Sequence, residues 1–324
     1  MIRVLMGVLG VLVLLAGGAA VYGTRLYDTP GPLPDARAVV VPRGGLEQIA
    51  GALVAEGVVD SAWTLQLAAL ATRGEGALKA GELEFPAGAS LRQVLGVLRT
   101  ARPVQHRLTV PEGLTAAQVV TLLERTPALK GPVVLPAEGR MLPDTYLFDR
   151  GTARAVVVER GTRAMDRALA AAWEARVKGL PLTTPEQALT LASIVERETG
   201  KVEERPLVAA VFLNRLARGM KLQSDPTVVY GASGGLGVLD HGITRAELDR
   251  DDPYNTYRVA GLPPGPIAMP SAASLRAVTQ PAQSDSLFFV ADGTGGHVFA
   301  RTNEEHVRNV AKWRGIERTR AARP

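Results

Sequence analysis

The order of residues predicts an α+β protein with an N-terminal transmembrane helix, a small α+β module and a larger mixed α+β domain. Three observations carry this. An uncharged run, Val4 to Tyr22, opens the chain. A strand, a Pro-x-Gly turn and a helix then recur, at "VPRGGLEQIAGAL" (41), "FPAGASLRQVLGVL" (85) and "VPEGLTAAQVVTLL" (110). Beyond them come long stretches of helical periodicity, and "SLFFVADGTGGHVFA" reads as two short strands about a glycine turn.

The first element is the apolar run. Flanked by Arg3 and Arg25, it is about 20 residues long, the length a helix needs to span the hydrocarbon core of a bilayer. A cleavable signal peptide is the competing reading, since Gly17 to Ala20 are small. The run, however, exceeds the roughly 7 to 15 apolar residues of such peptides. On either reading the rest of the chain is exported. Residues 1–25 are therefore expected as the anchor, and "TPGPLPDAR" within 26–37 as a stiff proline-rich linker.

With 324 residues, 46% of them hydrophobic, the chain is long enough for cores of its own in two or three domains. Cysteine is absent, which excludes disulfides and thiolate metal sites. Much of the net charge of +5 falls in the last residues (Lys312, Arg314, Arg318, Arg320, Arg323), so 313–324 reads as a solvated basic tail. Residues 38–104 read as strand, helix, second helix (Ser61 to Ala71), strand ("GELEFP") and helix. Residues 105–312 form the larger domain, with a long helix at about 153–178. Thr184, Pro185 and Gln187 are placed to cap the next one in a capping box. A further helix follows from about Arg205 to Arg218. The stretches "QSDPTVVYGASGGLG" and "DDPYNTYRVAGLPPGPIAMPS" then read as long polar loops.

The helix that begins at Thr184 ends in "LTLASIVERETG". Two carboxylates beside apolar neighbours are either costly or useful. At 100° per residue, Glu196 and Glu198 project about 200° apart and cannot serve one site together. Both border the apolar arc while Arg197 takes the polar face, so spacing leaves open which of them is special. An ion pair with an arginine across a helix interface is the plain alternative for either.

Taken together, "LASIVERETG", "RPLVAAVFLNRLARGMKLQSDPTVVYG", "YNTYRVAGLPPGPIAMPS" and "LFFVADGTGGHVFARTNEEHVRNV" resemble, in order and spacing over about residues 105 to 312, the endolytic murein transglycosylase family, called MltG or YceG-like. The resemblance implies that 105–312 is the catalytic domain, that 38–104 is LysM-like, and that Glu196 is the catalytic acid. It further implies that Asn214, Gln223, Asp225, Tyr254, Asn255 and Tyr257 line a glycan groove. Peptidoglycan strands would be the substrate, cut between MurNAc and GlcNAc to leave 1,6-anhydro ends. Such cutting would terminate glycan elongation, with peptidoglycan synthases as partners, no cofactor and no nucleic acid. The sequence departs from the family pattern at Arg140, where an aromatic is usual, and at Met269, where a small polar residue is common.

The chemistry this implies asks for one carboxyl that is still protonated near neutral pH, to protonate the leaving oxygen. The muramic acid's own C6 hydroxyl then attacks, so no activated water is needed. Water at the same bond would make the protein a hydrolytic muramidase, and no reaction at all a wall-binding scaffold. The four histidines (106, 241, 297, 306) lack the spacing of metal ligands, and "GASGGLG" lacks the lysine and strand-to-helix context of a phosphate loop.

Overall fold

A computed structural model describes residues 2–321, with the backbone alone described for 2–5, 7, 8, 16, 19, 20, 320 and 321. The elements in order are α1 (Ile2–Asp28), β1 (Arg37–Val41), α2 (Leu46–Ala55), α3 (Ala62–Ala71), β2 (Gly81–Phe85), α4 (Leu91–Thr100), β3 (Gln105–Thr109) and α5 (Ala116–Glu124). Then follow β4 (Thr145–Asp149), α6 (Arg154–Glu174), α7 (Pro185–Glu198), α8 (Arg205–Ala217), α9 (Asp225–Ala232), α10 (Arg245–Asp249), α11 (Ala272–Thr279), β5 (Phe288–Ala291), β6 (His297–Ala300) and α12 (Asn303–Ala321). This is a mixed α+β chain. Its strands pair two by two, β1 with β2, β3 with β4 and β5 with β6.

The chain divides into two compact units, Met1–His106 with Leu147–Gly151, and Arg107–Tyr146 with Thr152–Pro324. In the first, β1 and β2 run antiparallel with Val39 opposite Leu83. Alternation along β1 sends Val39 and Val41 inward, where they meet Ile49, Leu53, Leu65, Leu83, Phe85 and Leu98 in a core of their own. Ser61 caps α3, and Ser90 with Gln93 closes a capping box on α4. Residues 26–37, expected as a stiff proline-rich linker, are tied to the first unit. α1 runs on to Asp28, Leu33 is buried, and the chain bonds to the turn before α4 through Gly31 N to Gly88 O (3.2 Å) and Gly88 N to Leu33 O (2.7 Å). One apolar side chain with a place to bury outweighs the stiffness of its prolines.

Residues 147–151, expected from the sequence in the larger domain, group with the first unit. Arg150 pairs with Glu82 (3.0 Å), as does His106, and Phe148 stacks on the His106 ring. Pairing between segments so far apart in sequence leaves no local trace. The expected transmembrane run, Val4 to Tyr22, lies on α1, partly outside the residues whose side chains are described. Among the described residues no helix is long and apolar enough to cross a membrane.

The second unit is built around α7. Ala188 to Glu196 are buried without a break, so this helix is enclosed on all sides rather than amphipathic. Leu189, Leu191 and Ile194 pack with Val208 and Phe212 of α8 and Leu275 and Val278 of α11. Thr184 does cap α7, accepting from Gln187 N, but the Gln187 carboxamide turns to Thr183 N (2.7 Å), so the reciprocal half of the expected capping box is missing. The stretch "DPTVVYGA", expected as loop, forms α9 with proline in its first turn, where the missing N–H has no partner to lose. Residues 313–321 of the expected tail continue α12, while 322–324 lie outside the described residues.

Candidate active site

The two glutamates at the end of α7 go to different places, as their spacing requires. Glu196 turns toward the starts of α8 and α11. One oxygen accepts from Arg205 Nη2 (2.7 Å), the other from the backbone N–H and hydroxyl of Ser271 (2.8 and 2.6 Å). Arg205 also donates to Ser271 Oγ (2.8 Å) and to Glu112 (3.0 Å). Both partners are enclosed, with side-chain exposure of 2% for Glu196 and 5% for Arg205. This is the ion pair across a helix interface, the alternative that the sequence left standing. It locks three helix-bearing segments together.

Glu198 faces another way, into a cavity of about 350 Å³ that it lines with Arg215, Leu222, Gln223, Asp225, Tyr257, Phe289 and His306. Its Oε1 accepts a short hydrogen bond from the Ser224 hydroxyl. Enclosure by protein pushes the carboxyl up to about 7. The Ser224 bond pulls back, the charge of Asp225 acts in the same direction as burial, and the charge of Arg215 opposes it. A glutamate so placed holds its proton near neutrality and faces open space.

The rim of the cavity is held by polar bonds. Arg215, at the end of α8, donates to Leu287 O (2.6 Å), Leu222 O (2.8 Å) and Gln223 Oε1 (3.3 Å), fixing the turn that leads into α9. Gln223 at φ 53° is the one non-glycine residue with positive φ among the described residues, strain of a kind that concentrates at functional sites. Ser224, Thr227 and Thr256 interlock behind it: Ser224 N donates to Thr256 Oγ1 (2.9 Å), and Thr227 Oγ1 donates to Ser224 O (2.6 Å). The Tyr257 hydroxyl donates to Asp225 (2.6 Å), and burial with that bond pushes the phenol's pKa up, so it remains a donor.

Of the six residues expected along a glycan groove, this cavity gathers Gln223, Asp225 and Tyr257. Asn214 spends its amide on Ser284 O (2.8 Å) and Ser286 O (3.0 Å). Asn255, 1% exposed, ties its loop through Glu247 O, Leu248 O and Arg250 O. Tyr254 instead packs on Tyr230 with ring centroids 4.8 Å apart, and Tyr230 donates to Glu138 (3.2 Å), a second carboxyl pushed up by burial. Arg140 pairs with Glu186 (3.4 Å) and Asp166 (3.7 Å), and Met269 Sδ accepts from Met141 N (3.4 Å). Four cavity residues carried no expectation of lining a site: Arg215, Leu222, Phe289 and His306, the last considered only as a metal ligand. The Glu198 position was visible, on the arc of Leu191 and Ile194, but nothing local ranked it over Glu196.

The model of the YceG-like family matches residues 39–312. The chain belongs to the YceG-like family. Among relatives, an endolytic murein transglycosylase of Bacillus subtilis (strain 168) is 28% identical over 336 aligned positions, covering 92% of this chain and 90% of the relative. One from Streptococcus pneumoniae (strain D39) is 38% identical over 202 positions, 60% of this chain and 36% of the relative, so the chain spans about a third of that protein's length. A putative YceG-like protein of Listeria monocytogenes, solved by crystallography at 2.6 Å, has a similar fold (TM-score 0.52, 28% identity, 85% of this chain and 99% of that one). This YceG-like chain carries two glutamates at the end of α7, one in a buried ion pair and one at a cavity.

Proposed function

We propose that this YceG-like chain is an endolytic lytic transglycosylase. It cuts the MurNAc–GlcNAc bond inside peptidoglycan strands and leaves 1,6-anhydro-MurNAc ends, with Glu198, not Glu196, as the proton donor. The observation that carries this is Glu198, a carboxyl raised to about 7 at the wall of a polar cavity. Such a group gives its proton to the glycosidic oxygen, and its carboxylate then takes one from the attacking C6 hydroxyl, so a single residue serves as acid and base. Gln223 and Tyr257 orient the sugar, and Asp225 supplies negative charge toward the positive charge that develops at the anomeric carbon.

Asp225 also favours a second reading. Two carboxyls at one cavity are the equipment of a hydrolase, which would activate water and leave reducing ends. Mass spectrometry of the products from uncrosslinked glycan strands separates the two. Anhydro ends are expected; reducing ends would establish the muramidase, and intact strands a binding protein. Residues 38–104 are read as a LysM-like glycan-binding module. Deleting them is expected to weaken retention on strands yet leave measurable cutting, and unchanged retention counts against that role.

The chain is further read as held on the outer face of the membrane by its first helix, where it meets nascent strands beside peptidoglycan synthases. The sequence between Arg3 and Arg25 is uncharged, and α1, at 27 residues, is about 40 Å long against a hydrocarbon core of about 30 Å. Intact-mass measurement of membrane-extracted protein is expected to find the N-terminus present. A mature form starting near residue 21 overturns the anchor.

A further inference from the structure

Each of the other three histidines has a ring-nitrogen partner: His106 pairs with Glu82, His241 Nδ1 bonds Gly242 O, and His297 Nδ1 bonds Glu204. His306 differs. Its Nδ1 is enclosed and has no hydrogen-bond partner among the described residues, although the ring lines the cavity of Glu198. The ring is stacked on Phe288 (centroids 5.1 Å apart, planes at 21°), and the Arg215 guanidinium lies over the same Phe288 ring at 5.2 Å. Burial, and then the positive charge of Arg215, push the imidazole's pKa down, so the ring is neutral at neutral pH.

A neutral imidazole carries one proton and one lone pair. An enclosed N–H with nothing to donate to leaves a buried donor unsatisfied, which is rare. The lone pair therefore belongs on Nδ1 and the proton on Nε2. Since Nδ1 is shut away, the edge bearing Nε2 is the one that can line the cavity. We propose that His306 is a substrate-contacting residue, its Nε2–H donating to a carbonyl or hydroxyl oxygen of the saccharide seated beside Glu198. The inference rests on reading this cavity as the glycan site and adds a donor to it that none of the sequence motifs singled out.

The test measures binding of purified, uncrosslinked glycan strands to the full chain carrying Glu198→Gln, so that cleavage does not interfere. Adding His306→Phe keeps the stack on Phe288 and removes both nitrogens; binding is expected to weaken about tenfold, the loss of one net hydrogen bond. Adding His306→Gln returns an amide donor near the Nε2 position and is expected to restore most of it. Equal binding by the phenylalanine variant, or equal loss in both, overturns the proposal. A second readout needs no substitution at 306 beyond assigning the signal: nitrogen NMR of the ring is expected to show the proton on Nε2 and a shift of that nitrogen when strands are added. The opposite tautomer, or an unmoved signal while strands bind, also overturns it. Failure of the parent chain to bind strands would instead remove the glycan reading itself, and this inference with it.

Discussion

Glu198→Gln is expected to lower glycan cleavage by about 10² to 10⁴ while leaving the fold intact, because the amide keeps the size of the side chain and loses the transferable proton. Wild-type activity is expected to fall as pH rises through about 7, where the carboxyl gives up the proton it must donate. Stability should respond too, and the sign follows from the direction of the shift. The folded state binds this proton more tightly than the unfolded state, whose glutamate titrates at the ordinary value of 4.5. Between that value and about 7 the folded chain therefore holds more protons, and stability declines as pH rises across the window. For a shift of this size the decline approaches about 3 kcal/mol, fully developed above pH 7 and absent below the ordinary value. Glu198→Gln removes it, so the variant should match the wild type in denaturant melts at pH 4 and exceed it at pH 8. An active Glu198→Gln would show that another group gives the proton.

Breaking the ion pair should do the opposite, harming stability more than chemistry. Glu196→Gln leaves Arg205 enclosed opposite a neutral amide, with the half-exposed Glu112 its remaining carboxylate. Removing one member of a buried pair typically costs about 3 to 5 kcal/mol, chiefly the penalty of the charge left behind. Urea melts of Glu196→Gln and Arg205→Ala should both shift down by such an amount. Replacing both residues together with apolar ones of similar volume should recover part of the loss. The molecules of Glu196→Gln that remain folded should cut glycan within about tenfold of the wild-type rate, as expected of a residue that supports the fold and takes no part in proton transfer. A folded, stable and inactive Glu196→Gln beside a working Glu198→Gln would return the acid to Glu196.

The sequence by itself was enough to establish the α+β class, most of the helices, the family, and the helix end at which the two candidate glutamates sit. These rest on signals local in sequence: apolar spacing, Pro-x-Gly turns, Thr184 and Pro185 opening α7, and four ordered motifs. It also showed that Glu196 and Glu198 could not act as a pair, since helical geometry sets the angle between neighbours. Which of them faces a cavity was decided by what α7 packs against. Arg205 and Ser271, 9 and 75 residues further along, neutralise and bond Glu196, while Ser224 and the turn strained at Gln223 surround Glu198 with a cavity. In the same way Asn214 and Asn255, polar residues in promising motifs, were committed to carbonyls that reached them only on folding. His306, unremarkable in "NEEHVRNV", came to line the cavity because α12 places it against Phe288. Burial and desolvation depend on neighbours remote in sequence, and it is desolvation that distinguishes a working acid from an ordinary glutamate.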